Sequence, residues 1–162
     1  MFQTLLHNFV QWCYYSKDYA FIRDSKYGVP LVQSLHLFGI TALLGTTVAL
    51  NIRLLGFGFR RMPLPQFADQ LWPWAKGGLF LTIGAGILVF LPDPTRYSRS
   101  GPFQLKMVLL CFALLYQFLV FRKVLRKDPE SRPVMRNVAF ASISLLLWFG
   151  VGWSGRAIAF FQ

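Results

Sequence analysis

The sequence predicts an all-α integral membrane protein, a four-helix transmembrane bundle with an N-terminal amphipathic helix on the membrane surface. Three observations predict it. Four runs of about 20 mostly apolar residues divide the chain, each long enough to cross a bilayer core. The 162 residues are 55% hydrophobic and 14% charged, against about 25% charged in an average soluble domain. The basic residues behind the net charge of +11 fall mainly between the apolar runs. There they fix topology and meet anionic headgroups. No basic face remains for nucleic acid once the apolar runs are set aside.

Residues 1–28 form the first element. Phe2, Leu5, Leu6, Phe9, Val10 and Cys13 recur at helical spacing, with Gln3, Asn8 and Gln11 on the other side. Trp12, Tyr14, Tyr15 and Tyr19 follow, and aromatic residues of this kind favour the headgroup layer. The segment reads as an interfacial helix. It lacks the basic start, continuous apolar core and small-residue cleavage site of a signal peptide. The bundle occupies 29–162, with spans near 29–55, 71–91, 103–121 and 138–161. Pro63 and Pro65 interrupt the first connection. Pro92, Pro94, Gly101 and Pro102 bound the second, and Pro129 and Pro133 sit in the third. Such short connections make neighbouring helices antiparallel and leave no domain boundary.

Topology follows from Lys and Arg. The first and third connections hold nine of them, six being Arg122, Lys123, Arg126, Lys127, Arg132 and Arg136 in the third. The other side holds seven, with Lys76 inside the second span left out. The positive-inside rule places the first and third connections in the cytoplasm. The expected location is a bacterial inner membrane, with both termini periplasmic.

His36 is the most informative residue. It lies inside the first span, about six residues or roughly 9 Å below the outer surface. Ionisable groups are costly at such depth and turn toward a protein interior. Ile40, Leu43 and Thr47 share its face. Two uses stand open. His36 could be an axial ligand to haem iron or a quinone partner, since neutral imidazole binds iron well. Alternatively it makes an interhelical hydrogen bond to a serine, a tyrosine or a backbone carbonyl. A membrane b-type cytochrome generally needs two histidines, and the only other one is His7 in the surface helix. His7 folded over the outer mouth, or His36 from a second copy, would have to supply the other ligand.

Small residues recur every fourth position as Thr41, Gly45 and Ala49 in the first span and as Gly78, Thr82 and Gly86 in the second. Such stripes let helix backbones approach closely. A ring-shaped cofactor lying on the glycines is the rival use. Arg53, Lys106 and Arg156 are placed to snorkel to the headgroups. Tyr116 and Gln117 lie deep in the third span, and Ser142, Ser144 and Trp148 make the fourth mildly polar.

No enzyme signature is present. All six acidic residues lie outside the predicted spans, so no buried carboxylate relays protons. There is no phosphate loop and no nucleophile elbow. Cys13 and Cys111 lack ligand spacing, and the methionines are isolated, which argues against copper transport.

Several strings resemble a known pattern. They are Phe21-Ile22-Arg23-Asp24-Ser25, Val29-Pro30, Ser34-Leu35-His36-Leu37-Phe38-Gly39 and Arg53-Leu54-Leu55-Gly56. Phe103-Gln104-Leu105-Lys106-Met107, Ser144-Leu145-Leu146-Leu147-Trp148 and Gly155-Arg156 complete it. The chain resembles a poorly characterised family of small four-helix bacterial inner-membrane proteins. That family is distantly similar to the membrane domain of copper resistance protein D and to small b-type cytochromes. The resemblance implies the fold and carries no activity. Two positions depart from it. Asn51 stands where the family usually has an acidic residue, and Arg122 where it often has a histidine.

Three functions follow as expectations. The first is a non-catalytic membrane subunit or scaffold, in contact with the lipid bilayer and packing against other membrane subunits or as a homo-oligomer. The second is a redox protein binding haem b or quinone near His36. The third is a small carrier for a metal ion or solute.

Overall fold

The computed structural model describes residues 25–58, 62–91, 97, 100–127 and 132–158. Four long helices fill it: α1 Gly28–Leu54, α2 Leu64–Phe90, α3 Gly101–Leu125 and α4 Val134–Ala157. All four are long and apolar enough to cross a membrane, and no strand occurs among the described residues. The protein is a multi-pass helical membrane protein. Most of the amphipathic segment 1–28 lies outside the described residues.

The ends of the helices follow from local chemistry. α1 stops at a Schellman turn. The Phe57 N–H reaches the Ile52 carbonyl at 3.0 Å and the Gly56 N–H reaches Arg53 at 3.1 Å. Gly56 has φ +85°, which only glycine adopts without strain. Pro63 caps α2 and Pro65 sits in its first turn, where no backbone N–H is needed. These prolines therefore start the helix, and α2 begins seven residues before the expected 71. Pro133 does the same for α4. Pro73 lies inside α2 and removes the N–H that would bond the Asp69 carbonyl.

α3 is not a uniform α-helix. Tyr116–Phe121 winds as a π-helix before α-geometry resumes at Arg122–Leu125. At its end the Arg132 guanidinium donates to the carbonyls of Val124 and Lys127, the latter at 2.9 Å. Arg53 donates to the Met62 carbonyl at 2.8 Å and is buried. That corrects the expectation of snorkelling, because a backbone acceptor within reach holds the guanidinium inward.

α1 packs along α2 and α3 packs along α4, with α1 against α4 joining the two pairs. Two apolar clusters form the core. One gathers Leu50, Leu54, Leu64, Phe121 and Leu125 near the α1–α2 connection. The other gathers Leu43, Ala75, Ala113, Trp148 and Val151 further along the bundle. Large apolar side chains such as Phe80, Trp74, Phe112, Leu146, Phe149 and Trp153 are exposed. An apolar surface of this extent fits lipid rather than water.

Candidate functional site

His36 lies on the face of α1 that meets α2. Its Nδ1 is 2.8 Å from the Thr82 carbonyl oxygen. A carbonyl only accepts, so Nδ1 carries the proton and donates. This fixes the neutral tautomer with Nε2 as an acceptor. Nε2 has no hydrogen-bond partner among the described residues and is not sealed inside the bundle. The ring rests on Gly86, where an added Cβ would stand 3.0 Å from His36 Cε1. Thr82 turns its own hydroxyl back to the Gly78 carbonyl at 2.7 Å. Lys106 of α3 crosses to α4, its Nζ 3.6 Å from where a Gly155 Cβ would be.

Below His36 the two helices touch backbone to backbone. A Cβ on Gly39 would meet Thr82 N at 2.8 Å, and one on Gly78 would meet Leu43 N at 2.8 Å. Gly78, Thr82 and Gly86 all face α1. Their counterparts on α1 are Gly39 and Leu43. Thr41 and Gly45 are exposed, Ala49 is half-buried, and a Cβ on Gly45 would meet nothing within 4 Å. The α1 stripe read from the sequence therefore lies off this seam. The glycines of α2 offer no shelf for a ring-shaped cofactor either, since α1 backbone covers Gly78 and the His36 ring covers Gly86.

A second polar group lies toward the other end of α1. Asn51 is fully buried and donates to the Thr47 carbonyl at 2.8 Å and to Ser144 Oγ of α4 at 3.1 Å. Tyr116 donates from its hydroxyl to the Phe140 carbonyl at 2.9 Å. Gln117, in the π segment, is 2% exposed, and both of its amide atoms lack a partner among the described residues. So does Trp72 Nε1. Both residues line a cavity of about 10 Å³, measured at the centre of a water-sized sphere. That is room for about one water.

Gln117 does not meet His36 and shares a cavity with Leu43, one face-mate of His36. The Asn51–Ser144 pair escaped the sequence reading, which took Asn51 only as a departure from a motif and Ser144 only as part of a mildly polar stretch. Its signal is an amide in the last turn of an apolar span. His7 lies outside the described residues. Among those residues, no three His, Cys, Asp or Glu side chains gather as a metal site.

A family model described as Family of unknown function (DUF6644) matches residues 9–161. No curated protein and no solved structure matches the chain. The family match fits a poorly characterised family and adds nothing to the likeness with copper resistance protein D or the small cytochromes.

Proposed function

The chain belongs to DUF6644, a family of unknown function, and from its geometry we propose a non-catalytic membrane subunit that packs against a larger membrane assembly. The observation that carries this reading is the use made of the interior polar groups. His36, Asn51 and Tyr116 each bond across to a neighbouring helix. Thr41, Thr46, Thr47, Thr82 and Ser154 bond back to their own helices. Such bonds hold helices together, and each interhelical one contributes about 0.6 kcal/mol on average. A carrier needs a polar path, and the cavity at Gln117 admits only about one water.

The bilayer reading that goes with this places the α1–α2 and α3–α4 connections in the cytoplasm of a bacterial inner membrane, by the positive-inside rule. Both termini are then periplasmic. Mild-detergent purification tests the subunit reading. Stoichiometric membrane partners, retained through size exclusion, are the expected result. A lone, colourless monomer under several detergents would sink it.

A second reading, redox chemistry at His36, is favoured by one observation. The Nδ1–H bond to the Thr82 carbonyl is the support that iron-ligating histidines generally have, and it leaves Nε2 as the available donor atom. The residues fit an imidazole ligand. They do not fit a haem lying on the α2 glycines, because α1 backbone covers Gly78 and the His36 ring covers Gly86. The iron would have to sit outside α1–α2, with its second ligand from His7 or another protomer. An oxidised and a dithionite-reduced spectrum decide it. A Soret band that shifts on reduction and vanishes in His36→Ala supports this reading; a featureless spectrum after haem supplementation removes haem.

A further inference from the structure

α2 and α3 part at the membrane edge and leave a groove. Pro65, Ala68 and Leu125 form its apolar walls, and Trp72 its floor. Arg122, Arg126 and Asp69 supply its polar groups. The space between the helices is about 10 Å³, no larger than one water, so a ligand sits at its mouth; we propose that the two arginines there hold the phosphate of an anionic phospholipid.

Arg122 and Arg126 are four residues apart and share one face of α3. The Arg122 guanidinium lies 4.9 Å from the Trp72 ring centre. Trp72 is held in turn by an edge-on contact with Phe118 at 5.4 Å. Arg122 is thus oriented before any ligand arrives. Among the described residues, neither guanidinium has a hydrogen bond or a carboxylate within ion-pair distance. Two guanidinium forks beside an apolar wall suit a phosphate, which each can grip with two parallel N–H donors.

Depth and charge select the lipid. The groove lies where α2 starts and α3 ends, the level of the headgroups. The N-terminal dipole of α2 adds positive potential there. Two arginines against Asp69 leave one net positive charge, matched to one anionic headgroup. Exposed Leu119, about one turn before Arg122 on α3, offers apolar surface toward the bilayer core for an acyl chain.

The test is native mass spectrometry of the full chain in detergent. The protein is titrated with phosphatidylglycerol, with phosphatidylcholine and with inorganic phosphate. Phosphatidylglycerol should bind in preference to phosphatidylcholine. Each of Arg122→Gln and Arg126→Gln should weaken it about fivefold, the effect of about 1 kcal/mol per basic residue at a membrane surface. Asp69→Asn should strengthen it, and this mild change guards against a misfolded double variant. The pair Lys123→Gln and Arg136→Gln removes equal charge on the same side and should leave binding unchanged. Equal loss in that control, or an unchanged lipid preference in Arg122→Gln/Arg126→Gln, overturns the site. Displacement of the lipid by inorganic phosphate at equal concentration would assign the groove to free phosphate instead.

Discussion

The two sides of α2 are built in opposite ways. Toward α1 it presents Gly78, Thr82 and Gly86, and the backbones meet with no room for a Cβ. Toward α3 it presents Trp72, Ala75 and Lys76 around cavities, with Trp72 Nε1 and the Gln117 amide unpartnered among the described residues. In lipid no hydrophobic force drives helices together, so close backbone approach does most of the holding. The α1–α2 hairpin is the rigid half of the fold. The α2–α3 seam is closed by side-chain tips, and what binds to this protein has more to gain there.

The sharpest way to break this contrast is to put a methyl into the tight seam. Gly78→Ala drives a Cβ into the Leu43 backbone, which cannot swing aside as a side chain would. Overpacking commonly costs about 1–3 kcal/mol, and the upper end is expected here. A lowered thermal midpoint in detergent, followed by helical circular dichroism, checks it. A wild-type midpoint would mean that the seam is loose.

Asn51→Ala comes next. It removes the cross-link from α1 to Ser144 and should cost about 1–2 kcal/mol, near the upper range for membrane hydrogen bonds. Denaturation by added sodium dodecyl sulphate measures it, and Ser144→Ala should cost less. On the loose side the sign reverses. Gln117→Leu exchanges an unpaired buried amide for an apolar group of similar size and should stabilise by about 1 kcal/mol. Destabilisation by the same assay would show that the amide is paired after all, through a bound water or ligand. The smallest effect is expected for Gly45→Ala. A Cβ there meets nothing within 4 Å, so stability should stay within about 0.5 kcal/mol. A clear loss of self-association in Gly45→Ala would instead mark that face as a contact between copies.

The spans were legible because about 20 apolar residues admit few other readings. Their ends were less so. Gln66, Asp69 and Gln70 hid the first two turns of α2 from a hydropathy criterion, though Pro63 and Pro65 are good helix starters. Which face of α1 meets α2 was not legible. α1 is apolar nearly all round, and lipid and protein interior accept the same side chains. Thr41-Gly45-Ala49 and Gly39-Leu43-Thr47 then read alike, and only the structure separates them. Of the two uses left open for His36, the structure shows a bond to a backbone carbonyl. That acceptor belongs to Thr82 by position only, so no side-chain pattern could name it. Gln117 stood out as polar and deep, whereas its lack of a partner among the described residues is a property of all four helices at once.

The π segment of α3 has a consequence for angular phase. A π turn accommodates one more residue than the α-helix around it, and each residue of α-helix advances the direction of its side chain by about 100°. Lys106 and Ala113 before it are set against α4 and the core, while Arg122 and Arg126 after it are set toward α2. The inserted residue decouples those two settings. Within Tyr116–Phe121, shortening the chain by one residue lets the helix relax to plain α-geometry with both ends still in phase. In the flanking α-helical stretches the same deletion rotates one end against the other. α3 thus tolerates length variation at one place, and that place lies directly above the arginines.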